Sequence, residues 1–173
     1  SGVRHEVRLT DRRVARVVRR CQDLPGQELF QYLDDGGTVC RLGSADVNAW
    51  LAEASGELHA TAKDFRTWHG SVQALSLTLA ACSAEPVPTP AMVVAEVARR
   101  LGNTPAVCRK AYIHPAVLAL GEALASAERR AELLARPWVT SPPERRGLAL
   151  AERQLMGLLQ EDARRRPGRL KQQ

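Results

Sequence analysis

A tyrosine two residues past a pair of adjacent cations is the first sign of chemistry in this chain. Tyr112 follows Arg109-Lys110, and the run from Arg99 to Pro115 holds four Arg or Lys and no acidic residue. A phenol, ionising near pH ~10, is a weak nucleophile while neutral and must be activated by its surroundings. Positive neighbours favour the phenolate and stabilise charge building on phosphate oxygens. The stretch therefore suits attack on an anionic phosphate. Asn103 adds an amide donor nine residues before the phenol.

The elements that must hold these groups can be read from capping residues. Val93, Val97 and Leu101, with Met92, line a helix that begins at Thr89-Pro90 and stops at Gly102. Asn103 follows at once, and Thr104-Pro105 starts the next helix, which delivers Tyr112. Upstream, Thr61 and Asp64 form a variant capping box for a helix from about Ala62 to Ala81. Phe65, Val72, Leu75, Leu77 and Leu79 make that helix largely buried, and Arg66 sits in its first turns. A cation entering a core needs a partner. Either a structural salt bridge or a phosphate would serve, since a guanidinium matches phosphate oxygens with a fork of donors. His69, one turn on, shares the face.

The rest of the chain reads as mainly helical. Val3–Leu9 alternates as a short strand, Thr10 fits an N-cap, and Val14, Val17, Val18 and Cys21 form a stripe surrounded by Arg12, Arg13, Arg16, Arg19 and Arg20. Glu28–Leu33 is a second short strand before the Asp34-Asp35-Gly36-Gly37 turn. Ser44 caps a helix to about Ser55, with Val47, Trp50 and Leu51 inward and Gly56 ending it. Pro86, Pro88 and Pro90 mark a rigid linker. One amphipathic helix is expected over 116–135, with Val117, Leu120, Leu124, Leu133 and Leu134 inside. Arg136-Pro137 closes it. Ser141 and Glu144 form a capping box for a final helix lined by Leu148, Leu155, Leu158 and Leu159. The Arg164–Gln173 tail is basic and proline-broken, with a composition that favours disorder.

Composition sets bounds. At 173 residues, 45% hydrophobic and only 4% aromatic, the chain suits one soluble domain or a domain with an appendage, built of helices packed on helices. Net charge is 25 − 19 = +6, with 22 Arg and 3 Lys. It is concentrated in residues 1–20 and 164–173, while residues 21–163 sum to 13 − 17 = −4. Such a balance fits a polyanionic partner such as nucleic acid, and equally an Arg-rich solvated surface. Cys21, Cys40, Cys82 and Cys108 show no metal-ligand spacing and read as buried free thiols of a reducing cytoplasm. No apolar run approaches the roughly 18 residues that span a membrane, and no signal peptide is visible.

Two motifs then carry a family resemblance. Lys63-Asp64-Phe65-Arg66-Thr67-Trp68 and Leu101-Gly102-Asn103-Thr104-Pro105, the latter continuing to Arg109-Lys110-Ala111-Tyr112, resemble the catalytic domain of type IB DNA topoisomerases, in their small bacterial and viral forms. The resemblance runs from about Ser1 to His114. It implies the helical catalytic fold shared with tyrosine recombinases, with a short β element at the N-terminal edge. It divides the chain into a catalytic domain over 1–135, its N-terminal part missing, and a linker, helix and basic tail over 136–173. The implied activity is relaxation of supercoiled double-stranded DNA through a transient 3′-phosphotyrosyl break, by a monomer in the cytoplasm on nucleoid DNA, with no membrane, metal or nucleotide cofactor. It makes Tyr112 the nucleophile, Arg66 one of two arginines on the scissile phosphate, and Asn103 a donor to a phosphate oxygen. Lys63, Arg109 and Lys110 become DNA contacts.

One departure matters. The family also uses a second arginine and a general-acid lysine, both N-terminal to these motifs. Of Lys63, Lys110 and Lys171, none stands in that place. The expectation is that both residues lie before Ser1 and that this chain alone does not relax plasmid. A tyrosine recombinase is the nearest rival. Recombinases usually carry His three residues before the motif arginine, where Lys63 stands, and His in place of Asn103. A non-catalytic DNA-binding domain is the other rival, and the intact Arg66, Asn103 and Tyr112 oppose it.

Overall fold

The computed structural model describes residues 10–24, 26, 28–56 and 59–165. It is mostly helical with a small two-stranded antiparallel sheet, the fold class the sequence implies. The strand expected over Val3–Leu9 and the tail past Arg165 lie outside the described residues. The chain divides into two units, Ser1–Asp64 and Phe65–Gln173.

In the first unit, helix α1 (Arg12–Gln22) is capped by Asp11 rather than Thr10. The Asp11 carboxylate accepts from the Arg13 and Val14 amides at 2.7 and 3.2 Å, satisfying donors that the first turn leaves open. Strands β1 (Gln31–Leu33) and β2 (Val39–Arg41) pair with Tyr32 opposite Cys40. Asp34 builds their turn by accepting from the Gly36 and Thr38 amides at 2.9 and 2.8 Å. Strand β2, three residues long, was too short to show an alternation. Helix α2 (Ser44–Ser55) has Gly43, not Ser44, at its N-cap, with the Asp46 carboxylate accepting the Gly43 amide at 2.8 Å. It ends at Gly56 as expected. Val47 and Trp50 do not point inward; Trp50 is 64% exposed and only Leu51 is half-buried. Among the described residues of this unit, two short helices and a two-stranded hairpin supply no opposing apolar layer for them.

The second unit holds the apolar core. Helix α3 (Ala62–Ala81) begins as the Thr61–Asp64 pairing predicts, and its buried stripe is made of small residues: Gly70, Ser71, Ala74, Thr78 and Ala81, with Leu75. Phe65 is exposed, because it lies off that stripe. Helix α4 (Pro90–Leu101) buries Val93, Val94, Val97 and Ala98, and Met92, off that face, is exposed. Thr89 caps it, accepting the Met92 amide at 3.3 Å.

The single helix expected over 116–135 is three pieces. They are α6 (Pro115–Ala119), a 3-10 turn (Leu120–Ala125) and α7 (Ala127–Leu134), preceded by α5 (Pro105–Val107) and a π-helical turn (Cys108–Tyr112). Gly121 lies so close to Pro90 that a Cβ there would meet the proline Cβ at 3.0 Å. Ser126 then caps a new helix, accepting the Arg129 amide at 3.3 Å. Both competing signals broke a continuous apolar period.

After the short α8 (Pro137–Thr140), the last helix, α9 (Leu150–Arg165), starts later than Ser141–Glu144 predicts. Glu152 does the capping, accepting the Ala149 amide at 2.8 Å, while Glu144 pairs with Arg153 instead. Leu155 is fully buried and Leu158 nearly so, which puts α9 in this unit's core.

Candidate active site

Helix α4 ends where its sequence says it must. Gly102 adopts φ 64°, ψ 40°, a left-handed conformation that glycine reaches without penalty. The Asn103 amide then reaches back to the Ala98 carbonyl at 2.9 Å, closing the helix end. Thr104 caps the next turn, accepting the Val107 amide at 3.3 Å, with Pro105 at the first helical position.

The turn that carries the phenol is π-helical. The Ile113 amide donates to the Cys108 carbonyl at 3.0 Å, and the chain becomes extended at Ile113 (φ −117°, ψ 123°). Single π turns inside helical segments are rare and concentrate at functional sites. Cys108 is fully buried at the base of the turn. Burial pushes its thiol up, with a smaller opposing effect from the Arg66 charge.

Arg66, Asn103 and Tyr112 come together. The Arg66 guanidinium donates to the Leu101 carbonyl at 2.5 Å, and the Asn103 side-chain amide donates to the same oxygen at 3.1 Å. The Arg66 guanidinium carbon lies 5.1 Å from the centre of the Tyr112 ring, within cation–π range. Arg66 is exposed, and its partners are a carbonyl and a ring rather than the carboxylate of a structural salt bridge. The C-terminal carbonyls of a helix carry partial negative charge, so Leu101 is a natural acceptor for a cation.

Lys63 is exposed in the first unit, in the first turn of α3. Arg109 lines a separate cleft of about 540 Å³ with Val93, Val117 and Gly121, whose lining includes none of the three. Lys110 is exposed. His69 is hydrogen-bonded along α3 to Gln73, with 2.6 Å between nitrogens. Arg99 and Arg100 both bond to Glu96, at 2.8 and 2.7 Å, so the basic stretch is less uniformly positive than its sequence. Those two bonds hold the Glu96 carboxyl down at about 2.

Sequence reasoning missed several contributors. The Leu101 carbonyl is a backbone atom and leaves no mark in residue type. Thr67, Gly70 and Ser71 contact the tyrosine turn from α3, and the signal that could have found them is a glycine inside a helical pattern with hydroxyl neighbours. Trp68 donates its indole N–H to Glu152 of α9 at 3.0 Å, a pairing 84 residues apart that no local pattern announces. No group of three or more metal-ligating side chains occurs among the described residues, and none of their helices is long and apolar enough to cross a membrane.

The helical core thus presents an arginine, an amide and a phenol on adjoining elements. The family model described as eukaryotic DNA topoisomerase I, catalytic core, matches residues 2–134, and the chain belongs to that family. At the family level it is a type IB topoisomerase, an isomerase that acts on DNA. No curated protein matches the chain.

Proposed function

We propose that this chain carries the strand-breaking tyrosine of a type IB topoisomerase and that Tyr112 is the nucleophile. Its phenolic oxygen attacks a DNA phosphodiester. A bond forms between that oxygen and phosphorus, and the bond from phosphorus to the 5′ oxygen breaks. The strand is left as a 3′-phosphotyrosyl ester with a free 5′-hydroxyl. The phenolic proton goes to solvent, and the leaving oxygen takes up a proton that we assign to no residue of this chain. The duplex swivels about the intact strand, and the hydroxyl then attacks the ester to reseal. The ester conserves the bond energy, so resealing draws on no nucleotide.

One observation carries this reading. Arg66 and Asn103 already direct their donors at one oxygen, that of Leu101, beside the Tyr112 ring. A phosphate oxygen taking over those donors would have its developing charge stabilised by a guanidinium and an amide. Lys63, Arg109 and Lys110 are proposed as contacts to the DNA backbone outside this centre.

The test uses a DNA duplex with sulfur in place of the bridging 5′ oxygen at the scissile position. A thiolate leaves without being protonated, so the tyrosine step is read apart from the general acid. The expected result is magnesium-free covalent capture, mapped by mass spectrometry to Tyr112 and abolished in Tyr112→Phe with DNA affinity retained. Capture at another residue, or undiminished capture by Tyr112→Phe, would sink the proposal. Resealing of the captured ester by an added strand with a 5′-hydroxyl, without a second specific site, excludes the recombinase reading.

A further inference from the structure

We infer that Thr67, Gly70 and Ser71 form a seat on α3 that fixes the backbone of Tyr112, which makes them positioning residues for the nucleophile. The inference rests on the role proposed above for Tyr112, but the contacts that suggest it are independent of that role.

The seat holds the chain before, at and after the tyrosine. The Thr67 hydroxyl donates to the Ala111 carbonyl at 3.3 Å. The Ser71 hydroxyl accepts the His114 amide at 2.9 Å. Between them, a Cβ built on Gly70 would stand 2.5 Å from the Tyr112 carbonyl oxygen and 3.3 Å from its carbon. Gly70 and Ser71 are buried, Ser71 at 2% exposure. Spacings of three and four residues put all three positions on one face of a helix with roughly 3.6 residues per turn.

The sequence of the turn creates the need for such a seat. The π turn closes with the Ile113 amide, and the chain is extended from there, so the His114 amide has no helical acceptor. A buried amide without a partner is costly, and Ser71 supplies the partner. Arg66 lies four residues before Gly70 and takes the tyrosine ring. One face of α3 thus sets the ring through Arg66 and the backbone through Thr67, Gly70 and Ser71. The distance from the phenol to a phosphate held by Arg66 is then set from a single helix, α3. Reactions between positioned groups are sensitive to such placement, and a shift of ~1 Å can cost about 100-fold in rate.

Gly70→Ala and Thr67→Val test the seat, with Thr67→Ser as the variant that keeps the hydroxyl. The rate constant of covalent capture is measured at saturating phosphorothiolate DNA, separately from DNA affinity. Expected are losses of about 10- to 100-fold in that rate constant for Gly70→Ala and Thr67→Val, affinity within about threefold, and recovery of most of the rate in Thr67→Ser. A second readout needs no activity. The chain has two tyrosines, so 3-fluorotyrosine labelling gives two 19F resonances, and Tyr112→Phe assigns them. The Tyr112 resonance should move or broaden in Gly70→Ala and Thr67→Val while that of Tyr32 stays. Capture at the wild-type rate constant by folded Thr67→Val and Gly70→Ala would overturn the inference. Should Gly70→Ala not fold, Thr67→Val decides. If the unmodified protein captures no DNA, the proposed function fails, and an unchanged Tyr112 resonance in Thr67→Val then separately removes the seat.

Discussion

Leu101 offers one carbonyl oxygen, and two side chains from different parts of the sequence claim it. Arg66 reaches it across 35 residues and Asn103 across two. Both are donors without an accepting function in this role, and an anionic oxygen could replace the carbonyl without either side chain changing its character. The resemblance places His or Asn at position 103, and both can donate a hydrogen bond. Asn103→His should therefore keep covalent capture within about tenfold, while Asn103→Ala should lose roughly 10- to 100-fold, near the lower range for a lost transition-state donor. Equal capture by the alanine and wild-type proteins would remove Asn103 from the site. At this scale the sequence was informative where chemistry resides in side-chain type. Tyr112, Arg66 and Asn103 were legible for that reason. The shared oxygen was not, because every residue has one. Glu96 was overlooked because it precedes the basic stretch, though one helical turn brings it to Arg99 and Arg100.

At the level of elements, α9 is the informative case. It follows the residues that the family model matches, yet it supplies Leu155 to the core and Glu152 to Trp68. Leu155→Ala should destabilise the second unit by about 3 kcal/mol, the usual range for a fully buried leucine. Urea unfolding measures this, and a change under about 1 kcal/mol would show that α9 is dispensable. Glu96 gives a pH test on α4. Its folded carboxyl is depressed to about 2 by hydrogen bonds from Arg99 and Arg100. The stabilisation is therefore complete above the unfolded glutamate value of about 4.3 and disappears as pH falls through about 2. Melting temperatures of wild type and Glu96→Gln should differ at neutral pH and converge towards pH 2. The pair is exposed, so the difference is small. Helix ends at Gly56, Gly102 and the Thr61–Asp64 cap were readable because capping is local. The break at Ser126 and the late start of α9 were not. The first depends on Pro90 lying against Gly121, which only the folded chain brings about; the second is a cap as local as the others, Glu152 on Ala149, which the competing Ser141–Glu144 pattern masked in the sequence.

For the molecule as a whole, charge is the property to follow. The exposed arginines of α1 and the cations around Tyr112 suit a polyanion, and phosphate contacts release counterions on binding. DNA affinity should fall steeply with salt. Arg109→Ala and Lys110→Ala should each flatten a plot of log affinity against log salt by about 1 if the side chain touches a phosphate. An unchanged slope would assign Arg109 to its cleft alone. The apolar content announced a helical core but not its uneven distribution. Residues up to Asp64 bury only Gln31 among those described, while the second unit encloses the core cluster. Periodicity identifies an apolar face on α2 but cannot say whether anything covers it, and Trp50 was misplaced on that account.

The thiol beneath the tyrosine turn has a use beyond packing. Cys108 has no exposed surface and burial pushes its thiol up, whereas Cys21 and Cys40 are half-exposed. A thiol reagent reaches it only when the packing around that turn opens. Its alkylation is therefore a clock for that motion, with Cys21 and Cys40 marking time zero. DNA that holds the turn shut would slow the clock without touching the sulfur.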